Sequence, residues 1–76
     1  MQSVNVMLGT INDVKEFVTA VTMFDFEVDL VSGRYSVDAK SIMGIFSLDL
    51  SSPIRLDIHS DDNATLLADI GKFIVE

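Results

Sequence analysis

The stretch that decides the fold runs Ser36-Val37-Asp38-Ala39-Lys40-Ser41-Ile42-Met43-Gly44-Ile45-Phe46-Ser47-Leu48-Asp49-Leu50. Its first part alternates. Tyr35, Val37 and Ala39 fall on one side, Ser36 and Asp38 on the other, which is the period of a half-buried strand. At Ser41 the period changes, and Ile42, Ile45, Phe46 and Leu48 recur at roughly helical spacing. Ser41 is the natural N-cap, its hydroxyl placed to accept from an early backbone N–H of the helix that follows. Six of the nine residues from Ile42 to Leu50 are large hydrophobes. A helix lying on a sheet buries a stripe only about 100° wide or slightly more. Ile45 and Leu48 can face inward together, which leaves Ile42, Met43 and Phe46 on or near the surface. An exposed apolar patch rimmed by polar residues marks a partner site; the plainer alternative is a helix buried from both sides.

Outward from this stretch, the chain alternates between the two periods. Residues 2–8 set Val4, Val6 and Leu8 against Ser3, Asn5 and Met7, a strand that Gly9 ends. Thr10 then reads as an N-cap with Asp13 in the capping-box position, where a carboxylate also suits the helix dipole. Val14, Phe17, Val18, Val21 and Phe24 form the apolar stripe of that helix. Phe26, Val28 and Leu30 alternate with Glu27 and Asp29, and Ser32-Gly33 supplies a turn into Arg34 to Ala39, so 26–39 reads as a hairpin.

After the helix from Ser41, Ser51-Ser52-Pro53 is a loop, and Ile54, Leu56 and Ile58 against Arg55 and Asp57 make a fourth strand. Asp61-Asp62-Asn63 caps a last helix with the stripe Leu66, Leu67, Ile70, Phe73 and Ile74, weakened by about 1 kcal/mol at Gly71. The order is βαββαβα. Four short strands with one apolar face and three amphipathic helices predict a two-layer α+β sandwich, a four-stranded antiparallel sheet covered by three helices.

Composition narrows the function. Seventy-six residues, 49% of them hydrophobic, predict a single domain over 1–76 with one dense core. Cysteine is absent, which removes disulfides, thiolate metal sites and cysteine nucleophiles and suits a reducing cytoplasm. Met1-Gln2-Ser3-Val4 lacks the basic residues and apolar core of a signal peptide, and no apolar run approaches the ~20 residues that span a bilayer. The net charge of −7 disfavours nucleic acid and anionic membrane and favours, if anything, a basic partner. A cytosolic protein is expected.

Enzyme signatures are missing. There is no Gly-rich phosphate loop, no Gly-x-Ser-x-Gly and no metal-ligand spacing, so no cofactor, metal or catalytic activity is expected. His59 is the one histidine, beside Ser60 and Asp61-Asp62, without the companions of a metal site or triad. Glu27 and Asp29, two apart on one strand face, read as a solvated surface.

Lys40-Ser41-Ile42-Met43-Gly44 followed by Ser47-Leu48 resembles the regulatory-serine segment of the HPr family, the small phosphocarriers of the bacterial sugar phosphotransferase system. The likeness is strongest to members from Gram-positive bacteria. The specific match is confined to residues 40–48, while the element order agrees over nearly the whole chain. The resemblance implies the HPr-like open-faced sandwich. Phosphocarriers of this family carry Gly-Leu/Ile-His-Ala-Arg-Pro between the first strand and the first helix, and the histidine takes the phosphoryl group. Counting back from Lys40-Ser41 without gaps puts Thr10 in the histidine position, Asn12 in the arginine position and Asp13 in place of the proline. A hydroxyl with no nearby base is a poor phosphoryl acceptor, and Asp13 adds negative charge where positive charge is needed. Asp49 stands where the family has a helix-ending glycine.

In the Gram-positive branch a dedicated ATP-dependent kinase modifies the serine matching Ser41. The product binds a transcriptional regulator in carbon catabolite repression, docking through neighbouring apolar residues. The matching positions are Ser41, Ile42, Met43 and Phe46. The resemblance thus implies a histidine-less regulatory paralogue, with the serine kinase, the regulator or phosphotransferase proteins as partners. An active carrier using Thr10 or His59, or an adaptor never phosphorylated at all, are the alternatives.

Overall fold

The computed structural model describes residues 2–75. Five strands, β1 (Gln2–Val6), β2 (Val28–Ser32), β3 (Tyr35–Asp38), β4 (Ile54–Ile58) and β5 (Ile74–Val75), alternate with three helices, α1 (Ile11–Val21), α2 (Ile42–Phe46) and α3 (Ala64–Asp69). The sheet order is β3-β2-β4-β1-β5, and every neighbouring pair is antiparallel. The first four strands, the helices and the antiparallel sheet are those the sequence predicts. The fifth strand is an addition.

That strand comes from residues expected to be helical. The last helix stops at Asp69, and Gly71–Phe73 tightens into a single 3-10 turn. Ile74–Val75 then pairs with Asn5 and Val6 of β1. Ile70 and Phe73 are buried as their apolar spacing demands, but they reach the core from a tighter backbone. The Phe73 carbonyl accepts from Met7 N–H at 2.8 Å, a bond that ties this turn to the end of β1. Gly71 sits where the α-helix fails, as its low helix propensity favours.

Further boundaries differ: β1 ends at Val6 rather than Leu8, and β2 starts at Val28 rather than Phe26. The helix predicted over Ile42 to Leu50 ends at Phe46, because Ser47 and Leu48 close onto Gly44 and Ile45 by i→i−3 bonds. Asp49 does not adopt the left-handed backbone of a helix-ending glycine; among the described residues none other than glycine has positive φ. Its carboxylate instead accepts from Ser51 N–H at 3.0 Å and Ser51 Oγ–H at 2.6 Å, which lowers its pKa and builds the turn. At α3, Asn63 occupies the N-cap position without capping; its side-chain N–H donates to the Ser60 carbonyl at 2.8 Å.

The core lies between the sheet and the helices. Val6, Val28, Leu30, Ile54, Leu56 and Ile58 from the strands meet Val14, Phe17, Val21, Ile45 and Leu66 from the helices, all buried. Phe17 and Phe73 pack edge to face at 6.1 Å. Tyr35 shares the inward alternation of Val37 and Ala39, yet it is exposed, at the last pair of the hairpin beside the Gly33 turn. Gly33 has φ +59°, a conformation open to glycine and strained for other residues, which lets β2 turn tightly into β3.

The opposite sheet face carries the polar alternation. Register places Ser3, Asp57, Asp29 and Asp38 side by side across four strands. Asp57 is buried there. Burial alone would raise its pKa, but hydrogen bonds from Ser3 Oγ–H at 2.8 Å and from Arg55, with the fields of Arg55 and His59, outweigh this and lower it. A depressed carboxylate stabilises the fold above its unfolded-state pKa and loses that contribution as pH falls through the folded value. Chemical denaturation should therefore show the gap between wild type and Asp57→Asn widest near neutrality and shrinking below about pH 4.

A second expectation concerns Gly71. A Cβ there meets nothing within 4 Å and the residue has no positive φ. Gly71→Ala should raise stability by about 0.4–1 kcal/mol through the unfolded chain's entropy, read as an upward shift of the thermal midpoint.

Candidate functional site

The β1–α1 junction is built from local hydrogen bonds. Thr10 is extended (φ −135°, ψ 163°), and its Oγ1 accepts from Asp13 N–H at 3.0 Å. Asp13 Oδ2 accepts in return from Gly9 N–H at 3.1 Å. This is the predicted capping arrangement with the return bond shifted one residue upstream, to Gly9 rather than Thr10. Asn12 is exposed beside it. The first turn of α1 carries an acid and no imidazole or guanidinium.

His59 is elsewhere. Val6 pairs with Ile54 and Gln2 with Ile58, so Thr10 follows one end of the sheet and His59 the other, separated by the length of β4, about 15 Å. The imidazole Nε2 is hydrogen-bonded to Asp29 Oδ2 at 2.9 Å, and its backbone N–H donates to the Glu27 carbonyl. The two candidate acceptors thus form no common centre. Among the described residues, no three histidine, aspartate or glutamate side chains converge to hold a metal ion.

Ser41 lies at the His59 end, where β3 leaves the sheet. It is exposed, with φ −101° and ψ 106°, and its Oγ accepts from Gly44 N–H at 3.2 Å. Asp38 holds the approach: its carbonyl takes Ser41 N–H and its carboxylate takes Lys40 N–H, both at 2.9 Å. The Lys40 ammonium donates to the Phe24 carbonyl at 2.6 Å, joining this turn to the end of α1, where carbonyls lack intrahelical partners. Gly44 sits in a tight fit. A Cβ there would come within 3.3 Å of both Ser41 Oγ and the Val37 side chain.

Beyond Ser41, the stretch divides as its pattern predicts at Ile45, Leu48, Met43 and Phe46, while Ile42, expected near the surface with the last two, packs partly on the core. Ile45 is buried and Leu48 is nearly so, Ile42 is half-buried against the core, and Met43 and Phe46 are exposed to 77% and 41%. The structure adds apolar side chains that periodicity does not single out. Ile11, in the first turn of α1, is exposed although it lies three residues before the buried Val14. Met23, after the last turn, is exposed with it and borders a shallow groove lined by Lys15, Glu16, Thr19 and Ala20. Lys40's bond to Phe24 likewise has no signature in sequence, since the partner is a backbone carbonyl sixteen residues away.

The geometry defines a class: a small open-faced α+β sandwich with Met43 and Phe46 exposed on its helical layer. The model of the PTS HPr component phosphorylation site matches residues 12–76. The chain belongs to the HPr family of the phosphotransferase system. Its fold superposes on the phosphocarrier protein HPr from Bacillus anthracis str. Ames with a TM-score of 0.76 and 25% identity, over 97% of this chain and 94% of that one. HPr-C-His from Thermoanaerobacter tengcongensis superposes with a TM-score of 0.80 and 24% identity, over 95% and 89%. A search of curated proteins finds no sequence match. Among the described residues, no helix is long and apolar enough to cross a membrane.

The Thr10 cap has a measurable weight. Thr10→Ala removes the acceptor for Asp13 N–H and should lower stability by about 1 kcal/mol, seen as a reduced denaturation midpoint with an unchanged m-value.

Proposed function

We propose that this chain is a regulatory or binding member of its family, one that has lost histidine phosphotransfer and works through Ser41 and the Ile42, Met43 and Phe46 surface. The observation that carries this reading is the β1–α1 junction. A phosphoryl acceptor at that place needs a nucleophile and positive surroundings. Thr10 in the family's histidine position spends its hydroxyl oxygen on Asp13 N–H, and Asp13 spends its carboxylate on Gly9 N–H. Asn12 brings no charge in the arginine position.

Ser41 supports the second half of the reading. Its hydroxyl is exposed and held at the head of α2 by Gly44 N–H. Transfer from ATP forms a bond from Ser41 Oγ to the γ-phosphorus, releases ADP and passes the hydroxyl proton to a base of the kinase. The product adds about −1.5 to −2 charge beside Met43 and Phe46, altering what the patch recognises without repacking the core. An HPr-type serine kinase would act on it, in a bacterial cytoplasm. A transcriptional regulator of carbon catabolite repression or a phosphotransferase protein would read the result.

Intact mass after incubation with ATP and an HPr-type serine kinase tests the proposal. One phosphoryl group is expected on the wild type and none on Ser41→Ala. A parallel incubation with phosphoenolpyruvate and the first enzyme of the phosphotransferase system should leave the mass unchanged. A phosphoryl gained there, at Thr10 or His59, would establish the carrier reading instead. No gain with either donor would leave an adaptor that binds through its bare patch.

A further inference from the structure

The chain contains no cysteine, so its sulfur chemistry rests on methionine. Met7 is partly buried, whereas Met23 and Met43 are exposed to 78% and 77%. Met43 stands two residues after Ser41 and three before Phe46, the spacing that makes Met43 and Phe46 neighbours on one side of α2. Its side chain is largely exposed and is not among those packed on the core. Ile45, on the other side of the helix, is buried, Ser41 caps the first turn, and Ser47 Oγ–H closes the last onto the Gly44 carbonyl at 2.6 Å. A chemical change at Met43 Sδ therefore alters the surface and leaves the fold's anchors untouched.

We infer that Met43 is an oxidation-sensitive element of the apolar patch, its conversion to the sulfoxide turning that surface polar while the fold stays intact. The chemistry requires a two-electron oxidant of the peroxide class. The O–O bond breaks, one oxygen bonds to Sδ, sulfur is oxidised by two electrons, and the other oxygen leaves as water. The product replaces a flexible apolar thioether with a polar, hydrogen-bond-accepting group, and reductases reverse it. The consequence for Ser41 rests on the functional reading above, whereas the oxidation itself does not.

The test compares Met23→Leu protein, in which Met43 is the strongly exposed methionine among the described residues, with Met23→Leu/Met43→Leu protein. Both are treated with hydrogen peroxide, then followed by peptide mapping, circular dichroism, retention on a phenyl matrix and phosphorylation by the serine kinase. Met43 should gain oxygen several-fold faster than Met7, with the dichroism spectrum unchanged. Retention should fall, and Ser41 phosphorylation slow several-fold, only where Met43 is present, with recovery on methionine sulfoxide reductase treatment. Equal oxidation of Met7 and Met43, loss of structure on oxidation, or unchanged retention overturns the inference. So does phosphorylation that proceeds equally before and after oxidation. If the unoxidised protein accepts no phosphoryl group at all, the Ser41 reading fails by itself, and mapping with retention decides the inference.

Discussion

Everything in this molecule hangs on β4. It lies in the middle of the sheet, bonded on one side to β1 from the start of the chain and on the other to β2. Ile54, Leu56 and Ile58 enter the core while Arg55 and Asp57 take the other face. Side chains alternate with period two, so a slip of one residue against either neighbour would turn the apolar set outward and bury the charges. Register and burial thereby enforce one another. With β4 fixed, the β1–α1 junction and Ser41 are fixed at opposite ends of the sheet.

The strands that bury alternate residues were legible because their period is set by the face they cover. Val28 and Leu30, or Ile54, Leu56 and Ile58, leave little choice. The C-terminal segment was not legible in the same way. Leu66, Ile70 and Phe73 fit an apolar helical stripe, and all three are buried, but the same spacing is compatible with a short helix followed by a 3-10 turn. What decides between them is pairing with β1, a long-range contact invisible to local periodicity. The end of α2 was overextended for a related reason: Leu48 satisfies the helical stripe yet reaches the core after the helix has ended.

For the site, sequence supplied the chemistry and structure supplied the wiring. Thr10 and Ser41 could be read as caps from their residue types and neighbours, and both hydroxyls accept the expected helix amides. The division of α2 into a buried Ile45 and outward Met43 and Phe46 followed from the width of a helix stripe. The exposure of Ile11 did not, because it depends on where the sheet's cover ends and not on spacing from Val14. Lys40 shows the same limit. Its ammonium is engaged with the Phe24 carbonyl, a backbone partner sixteen residues away that no local pattern names.

The row of Asp57, Asp29 and Asp38 on the bare sheet face has a consequence for how these molecules meet one another. An uncovered sheet face offers a second copy a platform for stacking. Like charges set directly across neighbouring strands oppose that approach, and their field extends about 10 Å at 0.1 M salt. Arg55 and His59 temper the row from within each molecule. The exposed apolar side chains Ile11, Met23, Met43 and Phe46 lie instead on the helical layer. The aspartate row and these apolar side chains thus lie on opposite sides of the same sheet.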